Sequence, residues 1–134
     1  MLVRDRMSAH PVTIEPESSA LSALGIMQYH HLRHLPVVDP SGRVVGMLAE
    51  RDLLLAASRH LHAGMEVTEV MAHQVVTVNP ETPLADAASL MAQHHFGSLP
   101  VIDADNIIVG IITESDLFRA LADILGKSHA VAGA

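Results

Sequence analysis

Short apolar runs punctuate the chain, and their order reads strand, helix, strand, strand, helix, twice over. Val12-Thr13-Ile14 is a short extended segment. Ser18 precedes a stretch with Leu21, Leu24 and Met27 at helical spacing and is placed to cap it. Leu35-Pro36-Val37-Val38 is apolar throughout, as a buried strand is, and Asp39-Pro40-Ser41-Gly42 has the composition of a turn. Arg43 to Leu48 returns as the hairpin partner, and a second helix follows from about Glu50 toward Arg59. The series then begins again. Val75 to Val78 is extended, and Thr82-Pro83 marks a helix start with Pro in the first position, ahead of Leu84, Ala87, Ala88 and Met91. Leu99 to Ile102 and Ile107 to Ile112 form a hairpin across Asp103-Ala104-Asp105-Asn106. The last helix carries Leu117, Leu121 and Ile124 on one face and is expected to stop at Gly126, with a frayed tail from Lys127 onward.

The two series superpose without a gap at a constant offset of 64, which carries Met7 onto Met71 and Pro16-Glu17 onto Pro80-Glu81. The same shift carries His30-His31 onto His94-His95, Leu35-Pro36-Val37 onto Leu99-Pro100-Val101, Gly46 onto Gly110 and Asp52 onto Asp116. A period of this length marks a duplicated structural unit. The expected organisation is a first repeat over 1–63, a second over 64–127 and a flexible tail over 128–134, joined at His60-Leu61-His62-Ala63-Gly64. Each copy alone would bury a marginal core, so the two are expected to fold as one unit. The fold class is mixed α/β (α+β), two β-α-β-β-α repeats related by pseudo-twofold symmetry, with clefts between them.

Composition narrows the function. The formal charge is −7 with eight Lys and Arg, a balance that repels polyanions and argues against nucleic-acid binding. Cys is absent, which removes disulfide and thiol chemistry and mildly favours an intracellular, cytoplasmic location. No apolar run reaches the length of a membrane span, and Met1–Met7 does not read as a signal peptide. Hydrophobic residues reach 49% while aromatics are 2%, so the core must be aliphatic, and a flat ligand is expected to lie between Val, Ile and Leu rather than on a ring. Ten His make the charge sensitive to pH near 6.5.

The sharpest chemical signal is Gly110-Ile111-Ile112-Thr113-Glu114-Ser115-Asp116, a buried strand running straight into a helix. Gly110 allows close backbone approach, Thr113 can donate to an anionic oxygen, and Asp116 can accept from two adjacent hydroxyls beside a helix N-terminus. Thr-x-x-Asp is equally a pattern that simply caps a helix. The first copy keeps Gly46 and Asp52 but has Ala49 in place of the hydroxyl, which suggests a use for Asp52 other than capping. Arg33-His34 brings positive charge to a cleft edge, where the second copy has Gly97-Ser98; Arg is the better phosphate ligand through its planar fork, and the bland alternative is a solvated side chain. His30, His31 and His34, with His94 and His95, could cluster, yet no Cys, HExxH or nearby carboxylate completes a metal shell, and no metal site is expected. Nucleophile elbow, Walker loop and dinucleotide fingerprint are all missing from the sequence, so no catalytic residue is assigned and the chain is not expected to be an enzyme.

These residues resemble the CBS domain family, named for cystathionine β-synthase, in its tandem form, the Bateman module. Val67-x-x-Val70-Met71, Leu99-Pro100-Val101-Ile102-Asp103 and Gly110-x-x-Thr113-x-x-Asp116 carry the resemblance, with counterparts at Val3…Met7, Leu35–Asp39 and Gly46…Asp52. It implies two clefts that commonly bind adenine nucleotides, in modules that often pair into disc-like homodimers. By this resemblance the Asp holds the ribose hydroxyls, the Thr contacts phosphate, and Arg or His before the strand Pro reaches phosphate. One cleft would combine Pro11, Val12, Arg33 and His34 with Gly110, Ile112, Thr113 and Asp116. The other would combine Val75, Val76 and Ser98 with Gly46, Leu48 and Asp52, and is expected to be weaker because it lacks both Thr and Arg. The expected function is a stand-alone regulatory, energy-sensing module that binds AMP, ADP or ATP, with S-adenosylmethionine possible, requires no cofactor, and signals to an unknown regulated protein. The alternatives are a homodimerisation module with empty clefts and a metal or pH sensor built on the His pairs.

Overall fold

The computed structural model describes residues 1–59 and 64–133, with side chains over 1–58 and 64–126. Each repeat is built on a hairpin. In the first, β2 (His34–Val38) pairs antiparallel with β3 (Val44–Ala49), and in the second β4 (Ser98–Ile102) pairs with β5 (Ile108–Thr113). The register shifts once in each, at Val37/Val38 and at Val101/Ile102. The turns are organised by an aspartate. Asp39 Oδ1 accepts from the Ser41 and Arg43 amides at 2.9 and 3.0 Å, and Asp103 Oδ1 accepts from the Asp105 and Ile107 amides at 2.9 and 3.0 Å. The Ser41 hydroxyl first, then the Arg43 amide, holds the Asp39 carboxyl below its ordinary value. Each turn needs one left-handed residue, supplied by Gly42 (φ 91°) and, at the matching position, Asn106 (φ 65°).

A helix precedes each hairpin and another follows it. α1 (Ala20–His30) starts at Ser19, whose hydroxyl accepts from the Ser22 amide, one residue later than the sequence suggests. It buries Ala20, Ala23 and Met27, leaving Leu21 46% exposed, so the small residues and not the leucines set how closely the helix sits on its sheet. α2 (Glu50–Arg59) follows β3 directly. α3 (Leu84–His94) buries Leu84, Ala87 and Met91 and has Pro83 as its cap residue, so the proline lies one position outside the helix. α4 (Glu114–Gly133) runs through Gly126, where the sequence suggested a stop; Gly126 does not take the left-handed conformation of a C-cap, and inside a helix a glycine costs only about 1 kcal/mol against alanine. The same helix buries Ala120 and packs Leu117 against the second core, while Leu121 and Ile124, expected on the same face as Leu117, are exposed.

The segments that open the two repeats change sides. Residues Val3–Asp5 form a 3-10 turn whose Val3 is fully buried in the second core with Leu84, Leu99, Val101 and Ile112. Their counterparts Val67–Glu69 form the same turn, and Val67 is fully buried in the first core with Met27, Leu35, Leu48 and Leu53. Backbone bonds repeat the exchange: the Val3 amide donates to Thr82 O and the Val67 amide to Ser18 O, both at 2.8 Å. β1 (Ser8–Ala9) then joins the edge of β5, Ser8 opposite Ile111 and Ala9 opposite Gly110, while Ala72 bridges Met47 of β3. The extended segments expected at Val12–Ile14 and Val75–Val78 each make one parallel bridge, Ile14 to Val37 and Val78 to Val101. Each valine so buried contributes about 1.5–3 kcal/mol to a core it does not belong to by sequence. Among the described residues no helix is long and apolar enough to cross a membrane.

Candidate functional site

The crossing segments make two clefts, each walled by both repeats. The first encloses 460 Å³, within the range of small-molecule sites. The chain after β1 supplies Pro11 and Val12, the turn after α1 supplies His31 and Arg33, β2 opens with His34, β5 ends on Thr113, and the start of α4 supplies Ser115, Asp116 and Arg119. His31 ends α1 in the left-handed conformation (φ 55°), and this reversal brings the next residues to the cleft rather than onward along the helix axis. His95 does the same after α3, at φ 57°.

Asp116 is 4% exposed and lies in the cleft wall. Its Oδ2 accepts from the Thr113 amide at 2.9 Å and the Thr113 hydroxyl at 3.0 Å, while its own amide donates to Thr113 Oγ1 at 3.4 Å. Thr113 and Asp116 therefore do cap α4, reciprocally, and the hydroxyl proton expected to face an anion is directed at the carboxylate. Asp116 Oδ1 accepts from Arg119 Nη2 at 2.7 Å. Arg33 is exposed, and among the described residues no carboxylate lies within ion-pair distance of it.

His34 lines both clefts. Its ring lies against Gly97, so close that a methyl there would stand 2.7 Å from Cε1 and 2.8 Å from Nε2. Burial first, and then the Arg33 charge, push its pKa below the ordinary histidine value, while Glu114, Asp52 and Glu50 pull the other way.

The second cleft encloses 310 Å³, and Val75, Val76, Ser98 and Asp52 line it. Four expected residues lie elsewhere. Ile112 and Leu48 are fully buried in the second and first cores, and Gly110 and Gly46 face Met7 and Met71 of the crossing segments. Side chains alternate along a strand, so Ile111 and Thr113, and in the second cleft Met47 and Ala49, are the residues turned to the cavity. Phe96 lines the second cleft, which corrects the expectation that no ring could meet a flat ligand there. Arg51 lines it too, from the start of α2 beside Asp52, which corrects the expectation that this cleft lacks an arginine; His95 lies there as well. In the first cleft Arg119 went unforeseen, although its place three residues beyond Asp116 on one helix face is a usable signal.

The histidine pairs diverge. His30 meets Tyr29 edge-on at 4.9 Å and His94 stacks on Phe96 at 5.2 Å. Among the described residues no group of three His, Asp or Glu could hold a metal ion.

Known proteins share this architecture. The chain is 37% identical over 116 residues to the CBS domain-containing protein YhcV of Bacillus subtilis, covering 86% of this chain and 81% of that one. It is 30% identical over 118 residues to L-aspartate semialdehyde sulfurtransferase of Methanocaldococcus jannaschii, but spans 23% of that enzyme's length. Among solved structures, the CBS domain pair of protein MJ0100 in complex with 5′-methylthioadenosine and S-adenosyl-L-methionine superposes with a TM-score of 0.86 at 29% identity, covering 92% of this chain and 97% of that one. CBSX2 of Arabidopsis thaliana, solved in complex with AMP, superposes at 0.81 with 30% identity over 92% and 97%. The CBS domain family profile matches residues 3–59 and again 67–123. The chain belongs to the CBS domain family and carries two copies of the domain as a pair.

Proposed function

We propose that the protein is a regulatory module that binds an adenine nucleotide, AMP, ADP or ATP, in the first cleft and signals the occupancy to a partner protein. The observation that carries this reading is the placing of a buried carboxylate, Asp116, and a cation with no ion-pair partner among the described residues, Arg33, in the lining of one cavity, each from a different repeat. The carboxylate suits a ribose diol, the arginine a short phosphate chain, and Pro11, Val12 and Ile111 an adenine face. The adenosyl compounds bound by the two solved relatives support it, and S-adenosylmethionine is the competing ligand. Binding would act by differential affinity for two arrangements of the repeats, with energy status as the signal, no reaction catalysed, and the cytoplasm as the place of work. The second cleft has Ala49 where the first has Thr113, and draws its arginine, Arg51, from the helix start beside Asp52 instead of from the position of Arg33; the missing hydroxyl makes it the weaker site in this reading.

Assembly of two copies belongs to the same proposal. Phe118, Leu121, Ile124 and Leu125 are half or more exposed along α4, and Leu54 and Leu55 are similarly exposed on α2. These helices suit a homodimer interface. They also favour the second reading, a dimerisation module whose clefts stay empty, because Asp116 is already satisfied within its own chain.

A thermal-shift panel of AMP, ADP, ATP and S-adenosylmethionine on wild type and Asp116→Asn tests the choice. Asn retains an acceptor for the Thr113 donors but loses the charge. A ligand at 100 times its Kd adds about 2.7 kcal/mol, a shift of several degrees. A shift confined to wild type supports nucleotide binding. A flat panel at millimolar ligand favours the dimerisation module.

A further inference from the structure

We propose that Arg119 changes partner when the first cleft fills, leaving the Asp116 carboxylate to a ribose diol and turning to the ligand's phosphate, so that it sets the preference for nucleotide over nucleoside. The proposal rests on the adenine-nucleotide reading of that cleft. The reasoning begins with the lone pairs of Asp116. Oδ2 already accepts two hydrogen bonds from Thr113, both within the cap of α4, and breaking them would unseat the helix start. A vicinal diol brings two donors, so Oδ1 is the oxygen left to receive them. Oδ1 is the oxygen that Arg119 holds, at 2.7 Å.

Arg119 can leave. Its side chain is 69% exposed while that of Asp116 is 5% exposed, so one partner is fixed in the wall and the other stands in solvent. An ion pair so screened holds its arginine weakly. Arg119 also lines the cavity, as Arg33 does from the other repeat. Released, it adds a second planar donor fork to the cleft, and the change of partner turns a neutral pair into a carboxylate engaged by hydroxyls and a cation available to an anion. A nucleoside would displace Arg119 and give it nothing in return, whereas a nucleotide brings its own replacement partner.

The second cleft supplies the contrast. The position matching Arg119 is Leu55, three residues beyond Asp52, so no such exchange can occur there. Arg51 lines that cleft but precedes Asp52 instead of following it by one helical turn, so the partner exchange, though not every phosphate contact, is expected of the first cleft alone.

Titration calorimetry of adenosine, AMP and ATP against wild type, Arg119→Ala and Arg119→Lys reads the exchange, with circular dichroism confirming the fold of each variant. In Arg119→Ala adenosine is expected to bind as well as or better than in wild type, because its competitor is gone. AMP is expected to weaken about tenfold or more, the usual effect of losing a charge-assisted contact, with Arg119→Lys between. An AMP-to-adenosine ratio unchanged in Arg119→Ala overturns the proposal. So does equal weakening of both ligands, which would mean that Arg119 only holds Asp116 in place. If wild type binds none of the three, the nucleotide reading fails and the proposal falls with it, an outcome distinct from binding with an unaltered ratio.

Discussion

One chemical change, glycine to alanine, should have opposite signs at two positions of this fold. At Gly110 an added methyl would stand 2.7 Å from Met7 Sδ and 2.9 Å from the Ser8 carbonyl oxygen. The sulfur can move, but the carbonyl belongs to β1, which is held on β5 by only two residue pairs. Overpacking of this kind costs about 1–3 kcal/mol, and losing a ladder hydrogen bond adds about 1, so Gly110→Ala should destabilise by about 2–4 kcal/mol. At Gly25, in the middle of α1, no atom lies within 4 Å of the added methyl, and Gly25→Ala should stabilise by up to about 1 kcal/mol through helix propensity. Urea unfolding of both variants gives the two differences directly. Met7→Ala combined with Gly110→Ala should return only part of the loss, since the carbonyl contact remains. A Gly110→Ala protein within about 0.5 kcal/mol of wild type would falsify the claim that the crossing segment is packed to contact, because surface-like tolerance is of that size.

Other consequences are measurable. Leu48 is fully buried, so Leu48→Ala should lose about 2–5 kcal/mol in chemical denaturation, while the exposed Leu54→Ala should stay within about 0.5 in the monomer. Thr113→Ala removes half of the α4 cap and should cost about 1 kcal/mol, with Thr113→Ser restoring most of it. His34 has its folded pKa lowered, so the unfolded chain binds the proton first. Stability is then full above the unfolded value near 6.5 and falls as pH drops from there through the folded value, a slope that pH-dependent melting should show reduced in His34→Gln. Leu121→Glu on the exposed α4 stripe should leave a single copy in sedimentation if that stripe joins two; an unchanged assembly would remove α4 from the interface.

The hairpins and helices were legible because their signals are local. Alternating and continuous apolar runs mark β2 to β5, aspartate turns separate them, and a constant offset forces the second repeat to copy the first. Helix ends were less legible: Ser19 and not Ser18 caps α1, and α4 passes Gly126, because an isolated glycine signals a stop only when the backbone beyond it turns left-handed. The exchange of opening segments was invisible. Ser8–Ala9 is too short a strand to carry a pattern, and nothing in Val3 or Val67 says which core will bury it. In the clefts, Arg33, Asp116 and the two short segments Pro11-Val12 and Val75-Val76, singled out through the repeat, the charge pattern and the family resemblance, all line a cavity. Ile112 and Leu48 were misplaced by one step of the pleat, and Arg119 and Phe96 emerged only when turns and helices had fixed which side chains share a cavity.

The crossing segments also give the two cores unequal histories. The first is assembled from one unbroken stretch, Ile14 through Met71, whereas the second draws Val3 and Met7 across to residues 76–120. Arg6 meets Asp123 across 117 residues of chain, a loop that closes only when nearly everything between is in place. Contact order therefore predicts that the first core forms early and that β1 is added to the sheet last, as a latch. Pulse-labelled hydrogen exchange should find the Ala9 region protected after the Leu35–Leu48 hairpin. A fragment cut at the boundary between repeats would lose a buried valine from each side, so the two halves, alike in sequence, are not separable in substance.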